Sequence, residues 1–124
     1  MQILNIDDDS DDRDMFCMAI GMIDEDIECL QIESGELAVT LLAEGTLSPD
    51  FVFVDINMPR MNGYECVTEL IHLPNLRNTR IIMFSSTFNP HDQADFSTLG
   101  ITYLLKTSSL SSLVESIKKL IQPI

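Results

Sequence analysis

Chemically useful side chains follow directly after several short apolar runs of this sequence. Asp7 and Asp8 come after ILNI, Asp55 after FVFV, Ser85 after RIIMF, and Lys106 after ITYLL. Carboxylates that are held together without a cation repel one another and raise each other's pKa. A hard divalent cation bound through oxygen ligands removes that penalty, and Mg2+ is the ion that we expect. A carboxylate in such a place can also attack phosphorus as a nucleophile.

These side chains can meet only if the apolar runs before them are neighbouring strands. The runs are short, rich in β-branched or aromatic residues, and bounded by polar turn residues, which is typical of strands buried on both faces. Five strands are predicted, at residues 3–6, 27–32, 51–54, 80–84 and 101–105. Because ligands bind at the carboxyl ends of parallel strands, the residues after each run are the expected site.

Helical patterns separate the predicted strands. Apolar residues recur at three- and four-residue spacing from Met15 to Ile23, and again in the segments 34–45, 62–73 and 110–121. Asn89 and Pro90 form the start signal of a fourth helix that we expect to end near Gly100, and Pro123 is expected to end the last one. This alternation predicts an α/β fold with a parallel sheet and helices on both faces.

Composition limits the class of protein. The 124 residues and the absence of a low-complexity stretch predict one compact domain over residues 1–124. The 45% apolar content excludes disorder, and we expect no membrane insertion and a cytoplasmic location, since no long apolar run or leader pattern is present. The net charge of −13 predicts no direct binding to nucleic acid.

The three cysteines, Cys17, Cys29 and Cys66, are odd in number and widely spaced. They suggest neither a disulfide framework nor a zinc site. Buried or partly buried thiols are therefore expected.

Four motifs in register identify a family. The segments ILNIDDD, FVFVDINMPRMNGYE, IIMFSS and YLLK resemble, in order and spacing, a response-regulator receiver domain of the chemotaxis type. The resemblance covers the whole chain. It implies a flavodoxin-like, doubly wound sheet of five parallel strands in the order 2-1-3-4-5 with five helices. It also implies a phosphorylation-dependent switch of a two-component phosphorelay.

The resemblance assigns roles to the acidic cluster. Asp55 would be the phosphoacceptor and would share a Mg2+ ion with Asp8, a direct ligand, and Asp7, which would act through a water molecule. The backbone carbonyl of Asn57 would complete the protein's ligands. Gly63 would permit the tight approach that this loop needs.

The resemblance also assigns the switch residues. The Ser85 hydroxyl would meet the phosphoryl group, Lys106 would pair with it, and Tyr103 matches the aromatic switch position. The remaining acids, Asp9, Asp11, Asp12 and Asp14, are interpreted as the solvated, acidic start of the first helix, where the helix dipole favours negative charge. The domain would catalyse only its own Mg2+-dependent phosphorylation and dephosphorylation, so it is not expected to be an enzyme.

Partners follow from the same resemblance. A sensor histidine kinase or a histidine phosphotransfer protein would donate the phosphoryl group near the first helix, and an unknown downstream protein would bind the face of the fourth helix, fifth strand and fifth helix. No output domain is expected. One departure keeps an alternative open, a receiver-fold interaction module that works without phosphorylation. Thr107 stands where the family usually has proline, and a cis bond before threonine costs about 3–4 kcal/mol.

Overall fold

The structure of the protein is a computed structural model that describes residues 1–122. Its strands are β1 (Gln2–Ile6), β2 (Glu28–Ile32), β3 (Phe51–Val54), β4 (Arg80–Ser85) and β5 (Thr102–Leu105). They form one parallel sheet in the order β2-β1-β3-β4-β5. The predicted fold and strand order are thereby confirmed.

Five helices alternate with the strands. They are α1 (Ser10–Ile23), α2 (Gly35–Ala43), α3 (Gly63–Leu70), α4 (Pro90–Ser97) and α5 (Leu110–Ile121), and a short 3-10 turn (Pro74–Leu76) comes before β4. Within residues 1–122, no helix combines the length and the apolar character that crossing a membrane requires.

Two apolar cores fill the space on the two faces of the sheet. On one face α1 and α5 cover an aromatic cluster in which the ring centroids of Phe16 and Phe53 are 4.8 Å apart and those of Phe53 and Phe84 are 6.0 Å apart. On the other face α2 and α3 bury Leu42 and Val67. Complete burial of one such side chain contributes about 1.5–3 kcal/mol, so these layers hold the strand ends in place.

The strand register aligns the carboxyl ends of the sheet. Ile6 pairs with Val54 across β1 and β3, so the next residues on the two strands, Asp7 and Asp55, lie side by side. The backbone N–H of Asp55 donates to the carbonyl of Ile6 at 2.9 Å, which fixes the two strand ends together.

Side-chain caps start the helices where the sequence predicts them. The hydroxyl of Ser34 accepts from Leu37 N at 3.1 Å, and the Asn89 side chain accepts from His91 N at 2.9 Å. Three helices are shorter than predicted, because α2 ends at Ala43, α3 at Leu70 and α4 at Ser97. A proline disfavours helix before it, and Pro74 accordingly ends the helical region after α3 in a separate 3-10 turn. Pro123, predicted to end the last helix, lies outside the described residues.

The prediction of free thiols was wrong for two of the three cysteines. Cys17 on α1 and Cys29 on β2 form a disulfide with a Cα–Cα distance of 5.7 Å. The pairing arises because α1 packs over β2, which the 12-residue separation in the sequence does not reveal. Cys66 is a buried free thiol, as predicted, and burial raises its pKa to about 12.

Candidate functional site

Three carboxylates meet at the carboxyl edge of the sheet. Asp7, Asp8 and Asp55 each offer a carboxylate oxygen, and these oxygens all lie within 4.8 Å of one another. Asp7 and Asp55 are buried, whereas Asp8 is exposed. The structure thus brings together the three predicted acidic ligands, with one side of the group open to solvent.

Backbone and side-chain hydrogen bonds hold the loop that carries Asp7. The N–H of Asp7 donates to Ile32 on the neighbouring strand at 3.1 Å, and Asp9 N donates to Asp7 Oδ1 at 3.0 Å. The guanidinium of Arg13 donates to the Asp7 carbonyl at 2.7 Å. The backbone of Asp7 is therefore held at both its N–H and its carbonyl, and its carboxylate accepts one hydrogen bond from the following loop.

Burial makes the charged form of these acids unfavourable. Burial and, second to it, the Asp7 carboxylate raise the pKa of Asp55 from 3.8 to about 6, although Lys106 opposes the shift. The pKa of Asp7 is also raised by burial, against hydrogen bonds from Lys106 and Asp9. An oxygen-only donor set of three carboxylates fits a hard divalent cation such as Mg2+.

Lys106 lies within this cluster. Its Nζ is 2.7 Å from Asp7 Oδ2, 2.9 Å from Asp12 Oδ2 and 3.4 Å from Asp55 Oδ1. Burial lowers the pKa of the ammonium, but the hydrogen bonds with Asp7 and Asp12 outweigh it and raise the pKa above its usual value. Lys106 therefore stays charged.

The bond between Lys106 and Thr107 is trans, as are all the described peptide bonds. Lys106 N donates to the Ser85 carbonyl at 2.9 Å, which continues the pairing of β4 with β5 by one residue. Thr107 in place of proline therefore does not prevent Lys106 from reaching the carboxylates.

Ser85 is fully buried at the end of β4. Its hydroxyl makes no hydrogen bond with any other group in residues 1–122. A buried polar group without a partner is destabilising, and functional sites are a common reason for one to persist.

Tyr103 packs against the start of α4. Its ring meets that of Phe88 edge-on with centroids 4.8 Å apart, and its hydroxyl donates to the Asp92 carbonyl at 3.3 Å. The side chain is half-buried, and burial raises the pKa of its hydroxyl. Tyr103 thus links β5 to α4.

The loop after Asp55 approaches α3 closely. The N–H of Gly63 donates to the Ile56 carbonyl at 2.8 Å. A Cβ at position 63 would overlap the Asp55 carbonyl oxygen and come within 2.7 Å of Ile56 Cα. Glycine is thus the residue that this approach requires, as the sequence predicts. Asn57 lies in the exposed part of the same loop, two residues after Asp55.

Comparison with known proteins decides the family. The sequence profile described as response regulator receiver domain matches residues 3–118. The chain belongs to this family of receiver domains. The membership confirms the predicted family and places the domain among the receivers of response regulators.

Individual relatives agree with this assignment. An uncharacterized response regulatory protein of Vibrio cholerae is 33% identical over 90 residues, which cover 73% of this receiver domain and 33% of that protein. The chain therefore spans about a third of the length of this relative.

Solved structures share the fold. The chemotaxis protein CheY4 of Vibrio cholerae has a TM-score of 0.81 at 23% identity, covering 99% of this chain and 97% of that one. The Mn(2+)-bound form of response regulator Rcp1 has a TM-score of 0.83 at 22% identity, covering 97% of this chain and 93% of that one. At such identities the likeness establishes the fold alone.

Sequence reasoning missed one residue of the receiver's acidic edge. Asp12 was interpreted as part of a solvated helix start, yet its carboxylate accepts a hydrogen bond from Lys106 at 2.9 Å. An indication was present in the spacing. Asp12, Phe16 and Ile20 recur every four residues, so Asp12 lies on the sheet-facing side of α1 together with two buried residues.

Proposed function

We propose that Asp55 accepts a phosphoryl group from a phosphohistidine donor, with Mg2+ held by Asp7, Asp8, Asp55 and the backbone carbonyl of Asn57. The observation that carries this proposal is the meeting of three carboxylates within 4.8 Å, with a lysine ammonium 3.4 Å from Asp55. The similar response regulator Rcp1 has been solved in an Mn(2+)-bound form, so a protein of this fold binds a divalent cation.

The chemistry needs little beyond positioning and charge. An oxygen of the ionised Asp55 forms a P–O bond while the P–N bond to the donor imidazole breaks, and the electron pair of that bond stays on the imidazole nitrogen. Bound Mg2+ supplies neutralisation of the charge on the phosphoryl oxygens. Lys106 supplies a second positive charge, and Asp55 needs no general base because it is mostly ionised above its pKa of about 6.

The switch would run from Ser85 to Tyr103. The Ser85 hydroxyl, which has no partner within the described residues, would donate to the phosphoryl group. A shift of the end of β4 would then displace Tyr103 on the adjacent β5. The hydrogen bond from Tyr103 to Asp92 would carry that displacement to α4. The result would be a changed partner-binding surface on α4, β5 and α5.

The partners proposed are a sensor histidine kinase or phosphotransfer protein as donor and a downstream protein as receiver of the signal. The domain would act in the cytoplasm and would catalyse only its own phosphorylation and dephosphorylation.

Intact mass spectrometry tests the chemistry. Incubation with phosphoramidate and Mg2+ should add one phosphoryl group to the wild type and none to Asp55→Asn or to samples with excess EDTA. A receiver known to react with phosphoramidate serves as the positive control. An unchanged mass under conditions that label that control would reject the proposal in favour of a phosphorylation-independent interaction module.

Amide NMR with beryllofluoride, which imitates an acyl phosphate, tests the switch. Resonances near Asp55 and also those of β5 and α4 should shift in the wild type. A response limited to the neighbourhood of Asp55 would mean that the domain accepts the phosphoryl group without relaying it to Tyr103.

A further inference from the structure

The ammonium of Lys106 lies at unequal distances from three carboxylates. It donates hydrogen bonds to Asp7 and Asp12, whereas Asp55 is an ion-pair partner at 3.4 Å without a hydrogen bond. The lysine side chain is only 17% exposed. The cation therefore makes its two shorter contacts with Asp7 and Asp12 and its longest with the proposed phosphoacceptor.

Asp12 is held firmly enough to keep a cation. The Asp9 side chain caps α1 by accepting from Asp11 N at 2.9 Å and from Asp12 N at 3.3 Å. One turn later, Phe16 is fully buried against Phe53 and Phe84, which fixes the rotation of the helix. The carboxylate of Asp12 therefore faces Lys106 as a consequence of how α1 is packed.

The main chain of Lys106 is fixed as well. Its N–H is bonded to the Ser85 carbonyl, so the ammonium can turn toward Asp55 only by moving its side chain. Such a movement competes with the hydrogen bonds that the ammonium donates to Asp7 and Asp12. Hydrogen bonds between ionised groups are stronger than neutral ones, so this competition affects the energy of the switch.

We propose that Asp12 is a positioning residue that retains Lys106 on α1 in the unphosphorylated domain and thereby slows phosphorylation of Asp55. The inference rests on the proposed function, because it concerns the rate of that same reaction. An orienting role that helps the lysine to reach the phosphoryl group would have the opposite effect on the rate.

The test compares Asp12→Asn with Asp11→Asn. Both variants lose one negative charge from the first turn of α1, but Asp11 is exposed and is not a partner of Lys106. Initial rates of phosphorylation by phosphoramidate with Mg2+ are measured by intact mass. We expect Asp12→Asn to react about fivefold faster than Asp11→Asn, which corresponds to about 1 kcal/mol.

Two outcomes would overturn the inference while leaving the proposed function intact. Equal rates in the two variants would mean that the contact with Lys106 has no kinetic effect. A slower Asp12→Asn would mean that Asp12 helps Lys106 instead of retaining it. If neither the wild type nor the variants take up a phosphoryl group, the proposed function itself fails and the inference fails with it.

A second comparison separates positioning from charge. In a Lys106→Gln background, adding Asp12→Asn should give no gain in phosphorylation, because the residue through which Asp12 acts is gone. A gain that persists without Lys106 would show that Asp12 acts by repulsion alone and is not a positioning residue. Melting curves of all variants confirm that each remains folded during the assay.

Discussion

Strands β1 and β3, which lead into the carboxylates, consist almost entirely of buried residues, whereas β5, which carries Tyr103, and α4 consist of half-buried and exposed residues. All four residues of β3 are buried, but none of β5 is, and α4 buries no residue completely. Segments with few buried contacts open at lower free energy than core strands. The acceptor side of this receiver, β1 and β3, is therefore expected to open at higher free energy than the switch side, β5 and α4. This difference suits a switch in which the carboxylates must stay aligned while the partner-binding surface changes conformation.

The two sides should differ most in how much free energy of unfolding is lost when a packed aromatic ring is removed. Phe53→Ala removes a fully buried ring from the cluster with Phe16 and Phe84 and should lower the free energy of unfolding by about 3–5 kcal/mol. Phe96→Ala on α4 removes a half-buried ring and should cost about 1 kcal/mol. Urea denaturation measures both. Equal losses would mean that α4 is as firmly packed as β3.

The disulfide should add stability on the acceptor side. Replacing Cys17 and Cys29 with serine should lower the free energy of unfolding by about 2–4 kcal/mol, because the bond closes a loop between residues 12 positions apart. Wild-type protein kept in a thiol reductant is the matched control and should behave like the double variant. Titration of three free thiols in the unfolded, unreduced protein would contradict the pairing.

Asp55→Asn should stabilise the metal-free domain. Because burial raises the folded pKa of Asp55 to about 6, its ionisation disfavours the folded state; this effect is absent below pH about 4 and complete above pH about 6. At pH 8 the variant should gain about 1–3 kcal/mol over the wild type, and the gain should vanish in acid. Denaturation at both pH values, with the exposed Asp26→Asn as a charge-matched control, measures it. A gain of the same size in the control would assign the effect to net charge.

Mg2+ should change the free energy of unfolding less than the loss of Phe53 or of the disulfide does. At ten times its dissociation constant the ion adds about 1.4 kcal/mol to the free energy of unfolding. Asp8→Ala should move the midpoint of a Mg2+ titration, followed by melting temperature, to higher concentration, whereas Asp11→Ala should leave it in place. Identical titrations for the two variants would remove Asp8 from the proposed ligands.

Much of the fold was predictable because the strands are buried on both faces. A run such as FVFV has no polar position, so it predicts a central strand without reference to other parts of the chain. The caps at Ser34 and Asn89 depend on neighbouring residues only, and these were also predictable. The ends of the helices were less predictable. Helix α4, for example, ends at Ser97 and not near Gly100, because its last turn depends on packing that its own sequence does not specify.

The unpredicted contacts join elements that are distant in the chain. The pairing of Cys17 with Cys29 depends on how α1 lies over β2, and an odd count of cysteines gives no partner. The contact of Asp12 with Lys106 joins residues 94 positions apart and depends on the rotation of α1 about its axis. The helix dipole already explains why acids occur at the start of a helix. The sequence therefore offered no reason to look for a second role of Asp12 as a partner of Lys106.

The close approach at Gly63 has a consequence for inherited variation. A single added methyl group at this position would strike the Asp55 carbonyl and the Ile56 backbone, although it changes no charge and no polar group. A glycine-to-alanine variant, conservative by most measures of amino-acid similarity, would thus be expected to disable the acceptor as thoroughly as the loss of a carboxylate. Among descendants of this sequence, position 63 should therefore be under stronger purifying selection than the exposed positions of α3.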